Sequence, residues 1–160
     1  EPISSESLTK TCKEYFSFVW QLYYEMQMPM LLGFKKVFGD LESFHVNGVC
    51  VINEALNSKK NDNSEMSNEF YLEKYFFADN KDDVGVNAMS ISEITGIPRA
   101  TVIRKLNKLI KENFLKIDIK KHYSSTGIYQ KEILDVTKNT LNNLSKLTAR
   151  VYNLSLMKDN

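Results

Sequence analysis

The chain has 160 residues, of which 42% are hydrophobic and 26% are charged. This composition is that of an ordinary globular protein and argues against a disordered or fibrous chain. Two cysteines, Cys12 and Cys50, are too few for a disulfide framework and lack metal-ligand spacing, so we expect a reducing, cytoplasmic compartment and neither a metal nor another cofactor. No uncharged stretch approaches the ~20 apolar residues that span a bilayer, so we expect no membrane partner.

The formal net charge of +1 conceals a segregation of charge along the sequence. Residues 1–98 carry 8 basic against 15 acidic side chains, whereas residues 99–121 carry 8 basic side chains against only Glu112 and Asp118. A compact basic block in a near-neutral chain indicates a polyanionic partner for that block. A solvated helix face is the alternative interpretation, and the predicted local structure of the block favours the polyanion.

Helical periodicity dominates the first part of the chain. Apolar residues recur at three- and four-residue steps over Ser7–Met28, which predicts a helix that is apolar on more than one side. Pro29 should end or kink this helix. A second helix is predicted over Met30–Phe38, with Gly39 just after its C-terminus and Asp40 as the N-cap of the following helix.

The middle and the end of the chain add three further predicted elements. Residues 57–66 are polar and predict a loop, and a short aromatic helix is predicted at Phe70–Phe77. The tail over Val136–Met157 has neither Pro nor Gly, and its leucines and valines are three or four residues apart. This spacing is typical of a helix that packs along another helix, either in the same chain or across a dimer.

Residues 87–134 predict a helix, a tight turn, a second helix and a two-stranded hairpin. Ser90 and Glu93 fit a capping box for a first helix that ends at Gly96, where positive φ allows a sharp turn. Pro98 fits the first position of the second helix, which we expect to run to about Asn113.

The second helix has an apolar and a basic side. Val102, Leu106, Leu109 and Ile110 fall on one side, and the opposite side is basic, with Arg104 in its middle. A guanidinium group binds guanine O6 and N7 in a bidentate manner. The remaining members of the basic side are Ala100, Thr101, Lys108 and Lys111, with Lys105 at the flank.

A wing-like hairpin is predicted after this helix. Leu115, Ile117 and Ile119 alternate with polar residues, which predicts a half-buried strand, and the return strand is predicted over Ile128–Leu134. Residues 121–127 between them form the predicted hairpin tip, which is polar and basic and suited to contact phosphates or a minor groove.

The run Ile91–Leu106 resembles the helix-turn-helix of bacterial winged-helix transcription regulators, and Phe114–Ile117 resembles the beginning of their wing. The MarR-like and IclR-like families are the nearest in pattern. The resemblance implies a homodimer whose second helix enters the major groove while the wing contacts backbone or minor groove. The chain departs from the MarR-like pattern in its wing, where Asp118, Lys120 and Lys121 stand for the usual repeated Asp/Arg pattern.

We therefore predict a mainly α fold with a small β-hairpin wing and long terminal helices for dimerisation. We expect residues 1–86 to form an N-terminal helical region for dimerisation or as a scaffold, 87–134 the winged helix-turn-helix DNA-binding domain, and 135–160 a C-terminal dimerisation helix. The predicted function is sequence-specific binding of double-stranded DNA by a homodimeric transcription regulator without enzymatic activity. The predicted base contacts are Ala100, Thr101 and Arg104, the phosphate contacts are Arg99, Lys105, Lys108, Lys120 and Lys121, and the wing tip is His122, Tyr123, Ser124 and Ser125.

Other interpretations stay open. The fold could serve as a protein-interaction module, or as a replication or plasmid-maintenance protein that binds DNA. The aromatic residues of the first helix could line a pocket for a small-molecule effector, although core or interface is the commoner role of such stripes. Cys12 could be a sensing thiol, but Lys13 is its only cationic neighbour in sequence. A Ser-x-x-Lys pattern at Ser7 lacks the companion motifs that an enzyme would need.

Overall fold

The computed structural model of the chain describes residues 4–60, 85–126 and 131–157. Within these ranges the chain forms six helices and three short strands. In chain order they are α1 (Ser5–Glu14), α2 (Phe16–Phe38), α3 (Leu41–Lys60), β1 (Val86–Asn87), α4 (Ala88–Thr95), α5 (Arg99–Lys111), β2 (Leu115–Ile117), β3 (His122–Ser125) and α6 (Lys131–Leu156). The prediction of a mainly helical fold with a small β element is confirmed. The predicted helix at Phe70–Phe77 lies outside the described residues, and α3 extends into the predicted loop at 57–66.

The chain divides into two compact units, which we describe separately. The first contains residues up to Val37 together with α6, and the second begins at Phe38 and contains α3 to β3. This grouping differs from the predicted boundary at residue 86, because α3 packs on α4, α5 and β3 rather than on the terminal helices.

In the first unit, α1 packs along α6. Ser4 caps α1 by accepting a hydrogen bond from the Ser7 amide at 3.1 Å. Gly33 allows α2 and α6 to approach closely, since a Cβ at that position would lie 2.7 Å from Cγ2 of Val136. The return strand predicted over residues 128–134 is wrong from Lys131 onward, where α6 begins.

The expected end of the helix at Pro29 is wrong, because α2, which is 23 residues long, contains Pro29 and continues to Phe38. The proline ring removes one helical hydrogen bond, the one that the carbonyl of Glu25 would accept. The helix formers on both sides, such as Met28 and Leu31, tolerate the loss of one bond. The helix instead breaks earlier, at Tyr15 between α1 and α2.

In the second unit, three helices surround a small antiparallel sheet with the strand order β1-β3-β2. Val86 pairs with Tyr123, and Leu115 pairs with Ser125. The core consists of side chains from every helix of the unit and from β2. Those with essentially no exposed surface are Val46, Cys50, Ile91, Val102, Leu106, Leu109 and Leu115.

Local signals fix the ends of the helices in this unit. Gly39 has a φ of 80° and ends α2, and Asp40 caps α3 by accepting a hydrogen bond from the Ser43 amide at 2.7 Å, as the sequence predicts. The capping box predicted at Ser90 is wrong: the N-cap is Asn87, whose side chain accepts from the amides of residues 89 and 90, and α4 begins at Ala88. Asn87 and its neighbour Val86 also form β1, so the chain passes directly from strand to cap.

Candidate nucleic-acid interface

The turn between α4 and α5 is built as the sequence predicts. Gly96 adopts the left-handed conformation with a φ of 69° and ends α4. Ile97 is buried in the turn, and its carbonyl accepts a hydrogen bond from the Ser92 hydroxyl at 2.7 Å. Pro98 is the N-cap of α5 rather than its first residue as predicted, because the helix begins at Arg99. These contacts fix the angle at which α5 leaves the turn.

Helix α5 has one buried and one exposed face. Val102, Leu106 and Leu109 are fully buried, whereas Ile110 is only partly buried. On the opposite side Arg104 is exposed, as are the smaller Ala100 and the flanking Arg99, while Thr101 is partly buried. The exposed face is completed by Ile103, Asn107 and Lys111.

Ile103 and Asn107 are members of this face that the sequence analysis missed. The signal was present, because residues 100, 103, 104, 107 and 111 follow one helical stripe. An asparagine amide can bind adenine N6 and N7, and an apolar side chain can contact the thymine methyl group. Together with Arg104, the exposed face therefore carries groups that distinguish base pairs and not only a positive charge.

Lys105 and Lys108, which were predicted to contact phosphates, instead form contacts within the protein. The Lys105 side chain is only 12% exposed, and its Nζ lies 2.8 Å from Oδ1 of Asp40 and 3.3 Å from Oε2 of Glu42. Lys108 Nζ donates to the carbonyl oxygen of Phe38 at 2.6 Å and lies 3.8 Å from Oδ2 of Asp40. Both ammonium groups are thus occupied in holding α5 against the beginning of α3.

Asp40 is the centre of this ionic cluster. Its partial burial alone would raise the pKa of its carboxyl group. The hydrogen bonds from Lys105 and from the amide and hydroxyl of Ser43, with the charge of Lys105, outweigh burial and lower the pKa from 3.8 to about 2. Asp40 is therefore ionised at any physiological pH and compensates the two lysines.

The hairpin is shorter than predicted, and its tip is in a different place. Strand β3 occupies His122–Ser125, which was predicted as the tip, and Tyr123 and Ser124 in it are buried. The true tip is residues 118–121, where Lys120 and Lys121 are exposed. The strand was not predicted because the sequence of β3 is polar and does not alternate between apolar and polar side chains. Its residues are buried because β3 pairs with β1 on one side and with β2 on the other.

The tip is held by Asp118. Its side chain accepts from the His122 amide at 2.8 Å, and its carbonyl accepts from the Lys121 amide at 3.1 Å. The hydrogen bond from the His122 amide is the main cause that lowers the pKa of Asp118, with a smaller contribution from the charge of Lys120. Lys121 adopts a left-handed φ of 61°, which closes the turn.

The base of the hairpin is fastened to the helices. The Glu54 carboxylate of α3 accepts a hydrogen bond from the Ser125 amide. The Thr126 hydroxyl donates to the carbonyl of Asn113 at 2.8 Å, just after α5. The rings of Phe114 and Phe38 are in contact, with centroids 4.8 Å apart and planes tilted by 42°. The exposed face of α5 and the hairpin therefore belong to one packed unit.

Other chemistry is sparse in the part of the chain that the structure describes. No group of three or more His, Cys, Asp or Glu side chains is arranged to hold a metal ion among these residues. Burial, with the nearby charge of Glu54, raises the pKa of the Cys50 thiol to about 12, so it is unreactive at neutral pH. Of the helices described, none has the length and apolar character needed to cross a bilayer.

Comparisons with known proteins give no relative. No protein-family model, curated protein or solved structure matches the chain.

Proposed function

We propose that this protein is a sequence-specific, double-stranded-DNA-binding transcription regulator that acts as a homodimer through a winged helix-turn-helix. In the proposal, α5 enters the major groove and the hairpin of β2 and β3 contacts the backbone and the minor groove. The single observation that carries the proposal is the exposed face of α5. Arg104 and Asn107 are exposed on this face, and the opposite face of the helix is apolar and buried.

The topology of the second unit supports the winged-helix assignment. The element order is helix, strand, helix, helix, strand, strand, with β1 paired to β3, and this order supports the proposed winged helix. In that arrangement α3 is the first helix and packs behind α5, which leaves the opposite face of α5 for a partner. A helix of this diameter fits the major groove of B-DNA.

The charges that the structure leaves exposed support a phosphate-binding role. Arg99 lies at the start of α5, and Lys120 and Lys121 lie at the hairpin tip. If these three contact phosphates in each protomer, a dimer engages six, and the logarithm of its affinity should fall with the logarithm of salt concentration at a slope of about −5. We omit Lys105 and Lys108 from this set because Asp40 and Glu42 already compensate their charges.

The proposed homodimer is supported by α2. Within its residues 16–37 only Leu22 is buried, although the helix is strongly apolar. A stripe at four-residue steps is 45–61% exposed and consists of Phe16, Trp20, Tyr24, Met28 and Leu32. Stripes of this spacing on two helices interdigitate in the commonest class of helix packing. Burying about 100 Å² of each side chain in two protomers removes ~1,000 Å², which is about the smallest area expected of a biological interface.

The DNA-binding proposal is tested by measuring affinity for duplexes selected from a random pool. Arg104→Ala should lose about 1–3 kcal/mol and relax the preference at one base pair. Arg99→Gln should weaken all duplexes alike and reduce the salt slope by about 1 per protomer. Lys105→Met is the matched control that should keep the wild-type slope. Equal losses on every sequence for Arg104→Ala and Arg99→Gln would contradict the assigned roles.

The dimer proposal is tested by sedimentation equilibrium. Trp20→Glu places a charge within the exposed stripe and should yield monomers. Ile52→Glu is the control, since Ile52 is 57% exposed on α3 in the other unit, and it should leave the dimer intact. A dimer that persists in Trp20→Glu would contradict the assigned surface, and a monomeric wild type would contradict the dimer itself.

The alternative of a protein-interaction module is favoured by two apolar side chains. Met89 and Ile94 on α4 are 53% and 67% exposed, and α4 adjoins the turn before α5. Affinity for a protein partner with no retention of any duplex would favour this alternative. Retention of duplex DNA that depends on Arg104 would favour the regulator.

A further inference from the structure

The tip of the hairpin presents an apolar residue to solvent. Ile119 exposes 103% of its reference surface, more than any other large apolar side chain described. It follows Leu115, which is fully buried, and Ile117, which is 46% exposed, so the apolar side of β2 runs outward from the core to the tip. Exposed Lys120 and Lys121 come directly after Ile119.

The tip is constrained, so Ile119 is held outward. Asp118 accepts from the His122 amide, and Asp118 and His122 also pair through the Asp118 amide and the His122 carbonyl at 3.0 Å. The Asp118 carboxylate is turned toward β3, where one oxygen lies 3.6 Å from Nδ1 of His122. Among the described residues, the outer end of the tip therefore carries an exposed isoleucine followed by two exposed lysines, and the Asp118 carboxylate at its base is engaged in the turn.

The charge of this tip selects among the surfaces that an exposed isoleucine could contact. The two lysines favour a polyanionic partner. The minor groove of DNA combines such a charge with apolar contacts, because its base edges lie between two phosphate backbones. Proteins that bind this groove combine Arg or Lys side chains with apolar side chains such as Ile, Leu, Met or Phe, which enter the groove and often wedge between base steps. An A·T pair leaves room for such a contact, whereas the N2 amino group of guanine projects into the groove.

We propose that Ile119 is a minor-groove contact of the wing, which packs against A·T base edges while Lys120 and Lys121 bind the adjoining phosphates. This inference rests on the proposed function and adds to it a preference for A·T pairs about half a helical turn, ~5 base pairs, from the pairs that α5 contacts. The inference also assigns a different contribution to each part of the wing. The lysines contribute electrostatic attraction to the phosphates, and Ile119 contributes the apolar contact that discriminates between base pairs.

The test compares Ile119→Ala with Lys120→Gln in the full chain, on a duplex selected from a random pool. Ile119→Ala should lower affinity by roughly 10-fold and leave the salt slope unchanged, because it removes apolar contact and no charge. Lys120→Gln should reduce the slope by about 1 per protomer. Ile52→Ala, which truncates an exposed isoleucine on α3, should keep wild-type affinity. All variants change exposed side chains and should unfold thermally like the wild type.

A second arm changes the DNA under the wing. Replacing the flanking A·T pairs by G·C pairs should weaken the wild type, and inosine·cytosine pairs should restore binding because they lack the guanine N2 amino group. Ile119→Ala should respond much less to these replacements. If Ile119→Ala binds like the wild type, or if inosine fails to restore binding, the assignment of Ile119 is overturned and the proposed function stands. If no duplex is retained by the wild type, both are overturned.

Discussion

The ionic cluster at Asp40 makes a quantitative prediction for stability. Asp40 has two roles, as the N-cap of α3 and as the counter-ion of Lys105, and two substitutions separate them. Asp40→Asn keeps a capping side chain, because asparagine caps as well as aspartate, and removes the charge. Asp40→Ala removes both.

The magnitudes follow from the contacts. Loss of the bond to the Ser43 amide costs about 1 kcal/mol of unfolding free energy. Loss of the counter-ion leaves Lys105, whose side chain is 12% exposed, with Glu42 at 3.3 Å as its remaining acidic partner, which we expect to cost about 1–2 kcal/mol. Asp40→Asn should therefore destabilise by about 1–2 kcal/mol and Asp40→Ala by about 2–3 kcal/mol.

The pH dependence provides an independent check. The pKa of Asp40 is lowered from 3.8 to about 2 in the folded state, so its contribution is fully present above pH 3.8 and is lost as pH falls toward 2. Since its side chain is 36% exposed, solvent screening reduces this contribution to about 1 kcal/mol. Urea unfolding between pH 2 and 7 measures it. An Asp40→Asn variant as stable as the wild type, with the same acid profile, would refute the role of the cluster.

Two further predictions concern glycines and thiols. Gly39→Ala and Gly96→Ala each force a side chain into a left-handed conformation and should destabilise by about 1 kcal/mol. Gly39→Ala should cost more, because its Cβ would lie 2.8 Å from Lys108 Nζ and would displace this group from its hydrogen bond to the Phe38 carbonyl. The space at Gly96 is open, and denaturant titration compares the two variants. Equal costs would contradict the close packing at Gly39. A thiol reagent should modify the partly exposed Cys12 in the native protein, whereas Cys50 should react only after unfolding. Mass spectrometry measures the labelling of both cysteines. Rapid labelling of Cys50 in the native protein would contradict its burial.

The elements that the sequence predicts well depend on local chemistry. Gly39, Asp40 and Gly96 act on the backbone within a few residues, and each has the predicted conformation or bond. The buried face of α5 is also predictable, because one helical period places Val102 and Leu106 on the same side. Local signals of this kind can be recognised in a single amino-acid sequence.

The elements that the sequence misses depend on distant partners. Strand β1 is two residues long and exists through its pairing with β3, which lies more than thirty residues later. The same pairing buries Tyr123 and Ser124, which is why residues predicted to form the hairpin tip belong to strand β3. The pairing of Lys105 with Asp40 joins helices far apart in sequence, and it turns a predicted phosphate contact into an internal ion pair.

In the proposed function, the exposed face of α5 binds the major groove of duplex DNA. The most direct measurement is selection of bound duplexes from a random pool by the full chain, with Arg104→Ala selected in parallel. We predict an enriched inverted repeat whose half-sites lie about 10–11 base pairs apart, or a multiple of this, with one position relaxed in the variant. Recovery of unenriched duplexes, or of the same sequence by both proteins, would contradict the claim.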